Sequence, residues 1–130
     1  MKKAISIFLS MCLLTVLVAV PAKAEPTNIQ PYGTVSFSVI LSKYSSTQVE
    51  IDLKAIFGNS GESCTLNAVL QRKVNGSWTT YDTYSGSGSG YYVRLLKRPA
   101  PPKGYTYRVK GTLNSTTFTN IVQYSNELSW

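Results

Sequence analysis

Residues 35–57 read VSFSVILSKYSSTQVEIDLKAIF, and this stretch decides the class of fold. Apolar residues alternate with mainly polar ones in two runs, 35–42 and 49–57, on either side of a polar connection. A period of two residues places alternate side chains on opposite faces of a β-strand. We therefore predict two strands here, each with one face in a core and one face towards solvent.

The same period continues beyond this stretch, and no segment after residue 24 shows the 3.6-residue period of a helix. Turn-forming residues interrupt it at 58–61, 75–76, 85–90, 98–104 and 114–115. The pattern predicts seven strands, near residues 34–42, 47–57, 63–74, 77–84, 91–97, 104–113 and 116–125. Residues 25–32 are predicted to be an extended lead-in, and 126–130 a tail that completes the last strand. Short strands at this spacing predict an all-β antiparallel sandwich.

The N-terminal segment has the pattern of a secretory signal. Lys2 and Lys3 precede an apolar run over residues 4–20, and Ala22-Lys23-Ala24 follows it. A basic start, an apolar run and a small-x-small site are typical of a cleaved signal peptide. We predict a signal peptide over 1–24, cleavage before Glu25, and a secreted β-sandwich domain over 25–130. A retained membrane anchor is the alternative, since the run is near the lower length limit for a membrane span.

Cleavage would change both the charge and the cysteine content. The whole chain carries a net charge of +7, whereas residues 25–130 keep ten basic and six acidic residues. The resulting charge of +4 is ordinary for solubility, although it could also favour anionic partners. Cys64 is the one cysteine beyond residue 24, which leaves no internal disulfide. Its place in an alternating run predicts a buried apolar side chain, with a reactive or dimer-forming thiol as the alternative.

Asn75-Gly76 predicts a tight hairpin, because these residues readily adopt the positive φ angles that such turns need. The simplest register pairs Lys73 with Trp78 and Leu70 with Tyr81. Tyr81 would then be buried and Trp78 at least partly exposed. A one-residue bulge would exchange the two faces.

Two segments resemble fibronectin type III and related immunoglobulin-like domains. Residues 68–78, AVLQRKVNGSW, resemble the central hairpin of these domains, and residues 102–109, PKGYTYRV, resemble the start of their penultimate strand. The resemblance implies an immunoglobulin-like fold in which the hydroxyl of Tyr107 bonds back to the preceding turn. The early-strand Trp of fibronectin domains and the paired cysteines of antibody domains are missing. The chain is also similar to small secreted β-sandwich proteins of Gram-positive bacteria, and a fold alone implies no function.

The sequence offers little for catalysis. It contains no histidine, which excludes Ser-His-Asp and Cys-His mechanisms and nearly all zinc sites. Glu50 and Asp52 share a strand face about 7 Å apart, a spacing that could suit glycoside hydrolysis. The alternation with Lys54 favours a solvated strand face instead. No acidic cluster forms a calcium loop, and the Ser/Gly segment 85–90 lacks the Lys-Ser/Thr of a phosphate loop and is predicted to be flexible. We predict no enzyme, no metal and no cofactor.

Aromatic residues are the first remaining candidates for function. Those that fit inward positions are Phe37, Phe57, Tyr81, Tyr105, Tyr107 and Phe118. Those that border the Ser/Gly segment or lie on a mixed face are Trp78, Tyr84, Tyr91 and Tyr92. Exposed rings can stack on sugars or anchor protein partners. For Trp78 the alternative is packing against the stem of Lys73.

Basic residues collect in the last third of the chain: Arg94, Lys97, Arg98, Lys103, Arg108 and Lys110. Arg108 and Lys110 share an outward strand face, which with Tyr91 and Tyr92 could bind teichoic acid, anionic lipid or a protein. A solvated strand face is the alternative. The predicted export and the modest charge disfavour nucleic acid.

The sequence thus predicts a secreted, non-catalytic binding protein at or near the bacterial cell surface, which contacts wall polysaccharide or a protein partner. The predicted binding residues are Trp78, Tyr84, Tyr91, Tyr92, Arg94, Arg108 and Lys110. The alternative is a secreted antimicrobial or toxin-like protein that acts through the same basic, aromatic surface.

Overall fold

The alternating runs form strands in two antiparallel sheets that pack face to face, so the predicted all-β sandwich is confirmed. The computed structural model describes residues 29–32 and 35–130, and it has no helix within them. The predicted signal peptide lies outside the described residues. The described part of the chain forms nine strands: β1 (Ile29–Tyr32), β2 (Val35–Lys43), β3 (Val49–Phe57), β4 (Ser63–Val74), β5 (Ser77–Ser89), β6 (Tyr92–Lys97), β7 (Thr106–Ser115), β8 (Ile121–Tyr124) and β9 (Leu128–Ser129).

The first sheet has the strand order β1-β2-β3-β6, and the second has the order β5-β4-β7-β8, with β9 also paired to β7. The apolar faces of the two sheets pack against each other in one core, as the alternation predicts. Each fully buried aliphatic or aromatic side chain contributes about 1.5–3 kcal/mol through burial. The most deeply buried large side chains are Tyr107, Phe37, Leu41, Ile51, Leu53, Leu66, Leu70 and Leu113.

Gly111 of β7 permits a close approach between the two sheets. It is paired with Ala68 of β4 and faces β2 and β3 across the core. A Cβ atom on Gly111 would overlap Cγ2 of Val39 and lie 3.1 Å from Cζ of Phe37. The large side chains of the first sheet therefore fill the space that glycine leaves open.

The described residues form two more strands than the predicted seven, and one predicted strand begins later than expected. The lead-in contains β1, which pairs with β2, and the tail forms β9 on β7 rather than completing the last strand. The predicted strand over 116–125 begins only at Ile121, after a turn in which Asn120 has a φ of 52°. The turn is closed by a hydrogen bond from the Asn120 amide to the Asn114 side chain, 2.7 Å long.

The Ser/Gly segment is a further correction, because it is a strand and not a flexible loop. Residues up to Ser89 continue β5 and pair with β4. Gly86 and Gly88 lie against β6, where an added Cβ would come within 3.0 Å of Leu95 and 3.2 Å of Val93. The period-two alternation of Ser and Gly thus lets β6 pack closely over the end of β5.

The hairpin at Asn75-Gly76 forms, and both residues have positive φ angles of 50° and 79°. Lys73 is paired with Trp78 as predicted, but a bulge at Tyr81 shifts the register so that Leu70 is paired with Asp82. The prediction of a buried Tyr81 is therefore wrong: its side chain is 38% exposed. Trp78, which lies before the bulge, is partly exposed as predicted.

The corner predicted for Tyr107 is present. Its side chain is fully buried, and its hydroxyl donates to the carbonyl oxygen of Pro102 over 2.5 Å. Tyr105, predicted to point inward, is instead 38% exposed. The Tyr105 ring stacks on the guanidinium of Arg72, with Cζ 4.4 Å from the ring centroid.

Candidate functional site

The two carboxylates of β3 are ion-paired and not freely solvated. Asp52 is buried and accepts hydrogen bonds from Nε and Nη2 of Arg94, at 2.8 and 3.0 Å. Lys54 approaches the same carboxylate at 3.2 Å, and Glu50 pairs with Arg98. Burial opposes ionisation of Asp52, but the hydrogen bonds and charges of Arg94 and Lys54 outweigh it and lower its pKa. Asp52 is therefore held as a structural anion.

Glu62 and Cys64 are two further buried residues, whose carboxylate and thiol are candidates for chemical reactivity. The carboxylate of Glu62 accepts hydrogen bonds from the hydroxyl and amide of Thr117, and the hydroxyl in particular lowers its pKa. Glu62 therefore fastens the start of β4 to the turn after β7. Cys64 is buried as predicted, and desolvation followed by the charge of Glu62 raises its pKa to about 11. A thiol with this pKa is a poor nucleophile at neutral pH.

The described residues contain no group of three His, Cys, Asp or Glu side chains that could hold a metal ion. A shallow cavity of about 310 Å³ lies between β4 and β5, and its one titratable side chain is that of Tyr84. Desolvation and the hydrogen bond to Asp82 raise the pKa of Tyr84, so it remains protonated at neutral pH. Residues 29–32 and 35–130 include no helix long and apolar enough to cross a membrane.

The seven predicted binding residues do not form one site. Tyr92 and Arg94 lie on the outward face of β6 in the first sheet, next to the exposed Tyr91. Arg94 is occupied by Asp52, so it offers little to a ligand. Tyr84 lies on the core side of β5, where it packs against the buried cluster. The expected patch of Arg108 and Lys110 with Tyr91 and Tyr92 is therefore not assembled.

The structure brings together Trp78, Arg108 and Lys110 on the outward face of the second sheet. The other members of this surface come from the neighbouring strands, and we call the whole set the basic aromatic face: Gln71, Lys73, Trp78, Arg108, Lys110 and Tyr124. Lys73 is opposite Trp78, Gln71 is opposite Arg108, and Lys110 is opposite Tyr124. Antiparallel pairing thus aligns side chains from four strands on one surface.

Arg108 is the centre of the basic aromatic face. Its Cζ lies 4.3 Å from the ring centroid of Trp78 and 4.5 Å from that of Tyr124. Its Nε donates to Oε1 of Gln71 over 2.8 Å. Lys73 also approaches the Trp78 ring, with Nζ 5.6 Å from the centroid, which is the cross-strand packing considered as the alternative for Trp78. The cation–π contacts and the hydrogen bond fix the guanidinium above the sheet.

Among the described residues, Lys73, Arg108 and Lys110 make no ion pair, in contrast to Lys54, Arg94 and Arg98 on the first sheet. Two described acidic residues, Glu127 and Asp82, make no ion pair with these three cations. Glu127 precedes β9 and is exposed, and Asp82 on β5 is engaged by the Tyr84 hydroxyl and the Thr83 amide. The basic aromatic face therefore presents three uncompensated positive charges.

The remaining basic residues of the last third are dispersed. Arg98 lies over the ring of Tyr44, with Cζ 3.9 Å from the centroid. Lys103 approaches the ring of Trp130 at 5.0 Å, while the indole nitrogen of Trp130 donates to the carbonyl of Pro101. These contacts stabilise the end of the sandwich and do not extend the basic aromatic face.

Sequence reasoning did not predict Gln71, Lys73 and Tyr124 as binding residues, and it considered Lys73 only as a packing partner of Trp78. The alternation in IVQY places Tyr124 on the outward face of its strand, but its position opposite Lys110 depends on the turn after β7. Gln71 carries no signal of its own, because an outward glutamine in a strand is common. Its role appears only from its pairing with Arg108.

The fold and this surface define an all-β sandwich protein with one basic, aromatic sheet face. No family model matches the chain, and neither does any curated protein.

Proposed function

We propose that this chain is a secreted, non-catalytic binding protein that acts at or near the bacterial cell surface, and that the basic aromatic face is its binding surface. The observation that carries the proposal is the guanidinium of Arg108, which is held between two rings and flanked by Lys73 and Lys110. None of these three cations forms an ion pair with a residue in 29–32 or 35–130. Charged groups that gain no internal partner are available to an external one. The N-terminal signal pattern supports export.

Binding to wall material tests the proposal. Protein recovered from the culture medium of a bacterial host is mixed with purified walls and sedimented, as wild type, Trp78→Ala and Tyr92→Ala. We expect Trp78→Ala to weaken retention because Arg108 loses one of its two rings. Tyr92→Ala is the matched control, since Tyr92 is an exposed ring on the other sheet. A protein that stays in the supernatant with every wall fraction contradicts the proposal.

Export and cleavage are tested by the mass of the protein in the culture medium. The intact mass of the protein recovered from the medium is expected to correspond to a chain that begins at Glu25. A chain that keeps residues 1–24 and stays with the membrane fraction contradicts this part of the proposal.

A further inference from the structure

The Arg108 side chain has a fixed orientation and free donors. The rings of Trp78 and Tyr124 contact the planar guanidinium, and its Nε donates a hydrogen bond to Gln71. Its two terminal amino groups donate to no acceptor among the described residues. Such a preorganised fork can donate hydrogen bonds to two oxygens of one anion with little further loss of conformational freedom.

Lys73 and Lys110 lie on either side of Arg108, and the three cations form a line. Lys110 follows Arg108 by two residues on β7, and Lys73 lies on β4 two residues beyond Gln71, the partner of Arg108. Neighbouring cations along this diagonal are therefore about 7–8 Å apart at the backbone. Trp78 lies opposite Lys73 at one end of the line, and Tyr124 lies opposite Lys110 at the other.

A line of three charges on a flat sheet face fits a linear chain with recurring negative charges better than a single small anion. We propose that the basic aromatic face binds a phosphodiester polymer of the bacterial wall, with Arg108 in contact with the phosphate oxygens. The planar fork of Arg108 matches two phosphate oxygens, and the lysines serve as point charges for neighbouring phosphates. This inference rests on the proposed function and names the ligand class for the same surface.

Two other polyanionic partners fit this surface less well. Single-stranded nucleic acid needs open ring faces on which bases stack, whereas Trp78 and Tyr124 both have a ring face against Arg108. A lipid surface needs apolar groups that can insert. The most exposed ones, Tyr91, Ile56, Tyr44 and Tyr92, belong to the first sheet or adjoin its strands. Trp78 and Tyr124 are accordingly positioning residues for Arg108.

The test compares native walls with walls treated with cold hydrofluoric acid, which cleaves phosphodiesters and leaves peptidoglycan. We expect tight binding of the wild type to native walls and its loss on treated walls. Arg108→Gln is expected to weaken binding about 10- to 100-fold, which corresponds to the loss of a charge-assisted hydrogen bond. Arg108→Lys should be intermediate, because it keeps the charge and loses the planar fork. Lys97→Gln, which removes an exposed charge from the other sheet, is the matched control.

Positioning by Trp78 is tested with a conservative pair of variants. Trp78→Phe keeps a ring beside Arg108 and should retain binding, whereas Trp78→Leu should weaken it. The salt dependence of binding should become shallower for Arg108→Gln and remain unchanged for Trp78→Leu, since only the first removes a charge. A purely structural role would instead lower binding in proportion to the loss of thermal stability in both Trp78 variants.

Each contrary outcome has a distinct meaning. Equal binding to native and acid-treated walls overturns the phosphodiester assignment and leaves the proposed function standing. Binding to neither wall preparation overturns both. Binding to phosphatidylglycerol vesicles or to single-stranded DNA as tight as binding to native walls overturns the choice of a wall polymer. An affinity that is the same for Arg108→Gln and Lys97→Gln overturns the role of Arg108.

Discussion

Substitution of Gly111 by alanine tests the packing of the sandwich. The new methyl group would overlap Cγ2 of Val39 and approach Cζ of Phe37 and Cδ2 of Leu53 at 3.1 and 3.3 Å. All three neighbours are fully buried and belong to the opposite sheet, so none can move into solvent. Overpacking of this kind typically costs about 1–3 kcal/mol. Loss of glycine's freedom in the unfolded chain offsets about 0.4–1 kcal/mol of this.

Urea unfolding followed by tryptophan fluorescence measures the effect as a shift in the midpoint at constant slope. A second substitution, Val39→Ala, tests whether the loss of stability comes from contact with Val39. Val39→Ala alone leaves a cavity and destabilises, but in the Gly111→Ala background it removes the overlapping atom. We expect the double variant to be more stable than the sum of the two single effects predicts, by about 0.5–3 kcal/mol.

Two results would refute this reasoning. If Gly111→Ala is as stable as the wild type, the sheets are not in close contact at this point. If the two substitutions are additive, the loss in Gly111→Ala does not come from contact with Val39.

Three further predictions concern single side chains. Tyr107→Phe should lower stability by about 1–3 kcal/mol, because it leaves the Pro102 carbonyl without its donor, whereas Tyr105→Phe should have little effect; thermal unfolding distinguishes them. The lowered pKa of Asp52 means that its ionised form stabilises the fold above the ordinary pKa of 3.8, and that this contribution is lost as the pH falls through the folded-state value. Urea unfolding at pH 6 and pH 3 should therefore show a smaller acid loss for Asp52→Asn than for the wild type, and equal losses would contradict it. Cys64 should react with a thiol reagent far more slowly in the native protein than in urea, and fast native reaction would mean that it is accessible.

The alternation of apolar and polar residues was enough to predict the core and the faces of most strands. Phe37, Phe57 and Tyr107 are buried where the period of two places them. Tyr81 and Tyr105 are exceptions. Tyr81 is exposed because of a bulge, which is decided by how β5 meets its neighbours and leaves no mark in the local pattern. The Ser/Gly segment was misinterpreted because its composition favours a loop, whereas its alternation favours a strand.

The proposed binding surface was less predictable, because its side-chain contacts join residues that are distant in sequence. Arg94 and Arg108 look alike in the sequence, both being outward residues of a strand. The first is neutralised by Asp52, 42 residues away, and the second lies beside Gln71, 37 residues away. Only the strand order decides which arginine meets a carboxylate and which meets an amide and two rings. For the same reason Tyr124 could not be assigned to the surface beforehand.

We propose that the outward face of the second sheet binds the ligand. Nuclear magnetic resonance tests this directly, through the change in backbone amide chemical shifts when isotope-labelled protein is titrated with soluble fragments of the wall polymer. We predict that the largest changes occur at Gln71, Lys73, Arg108, Lys110 and Tyr124. Changes centred instead on Tyr91, Tyr92 and Arg94 would place the binding surface at the first sheet and contradict the account.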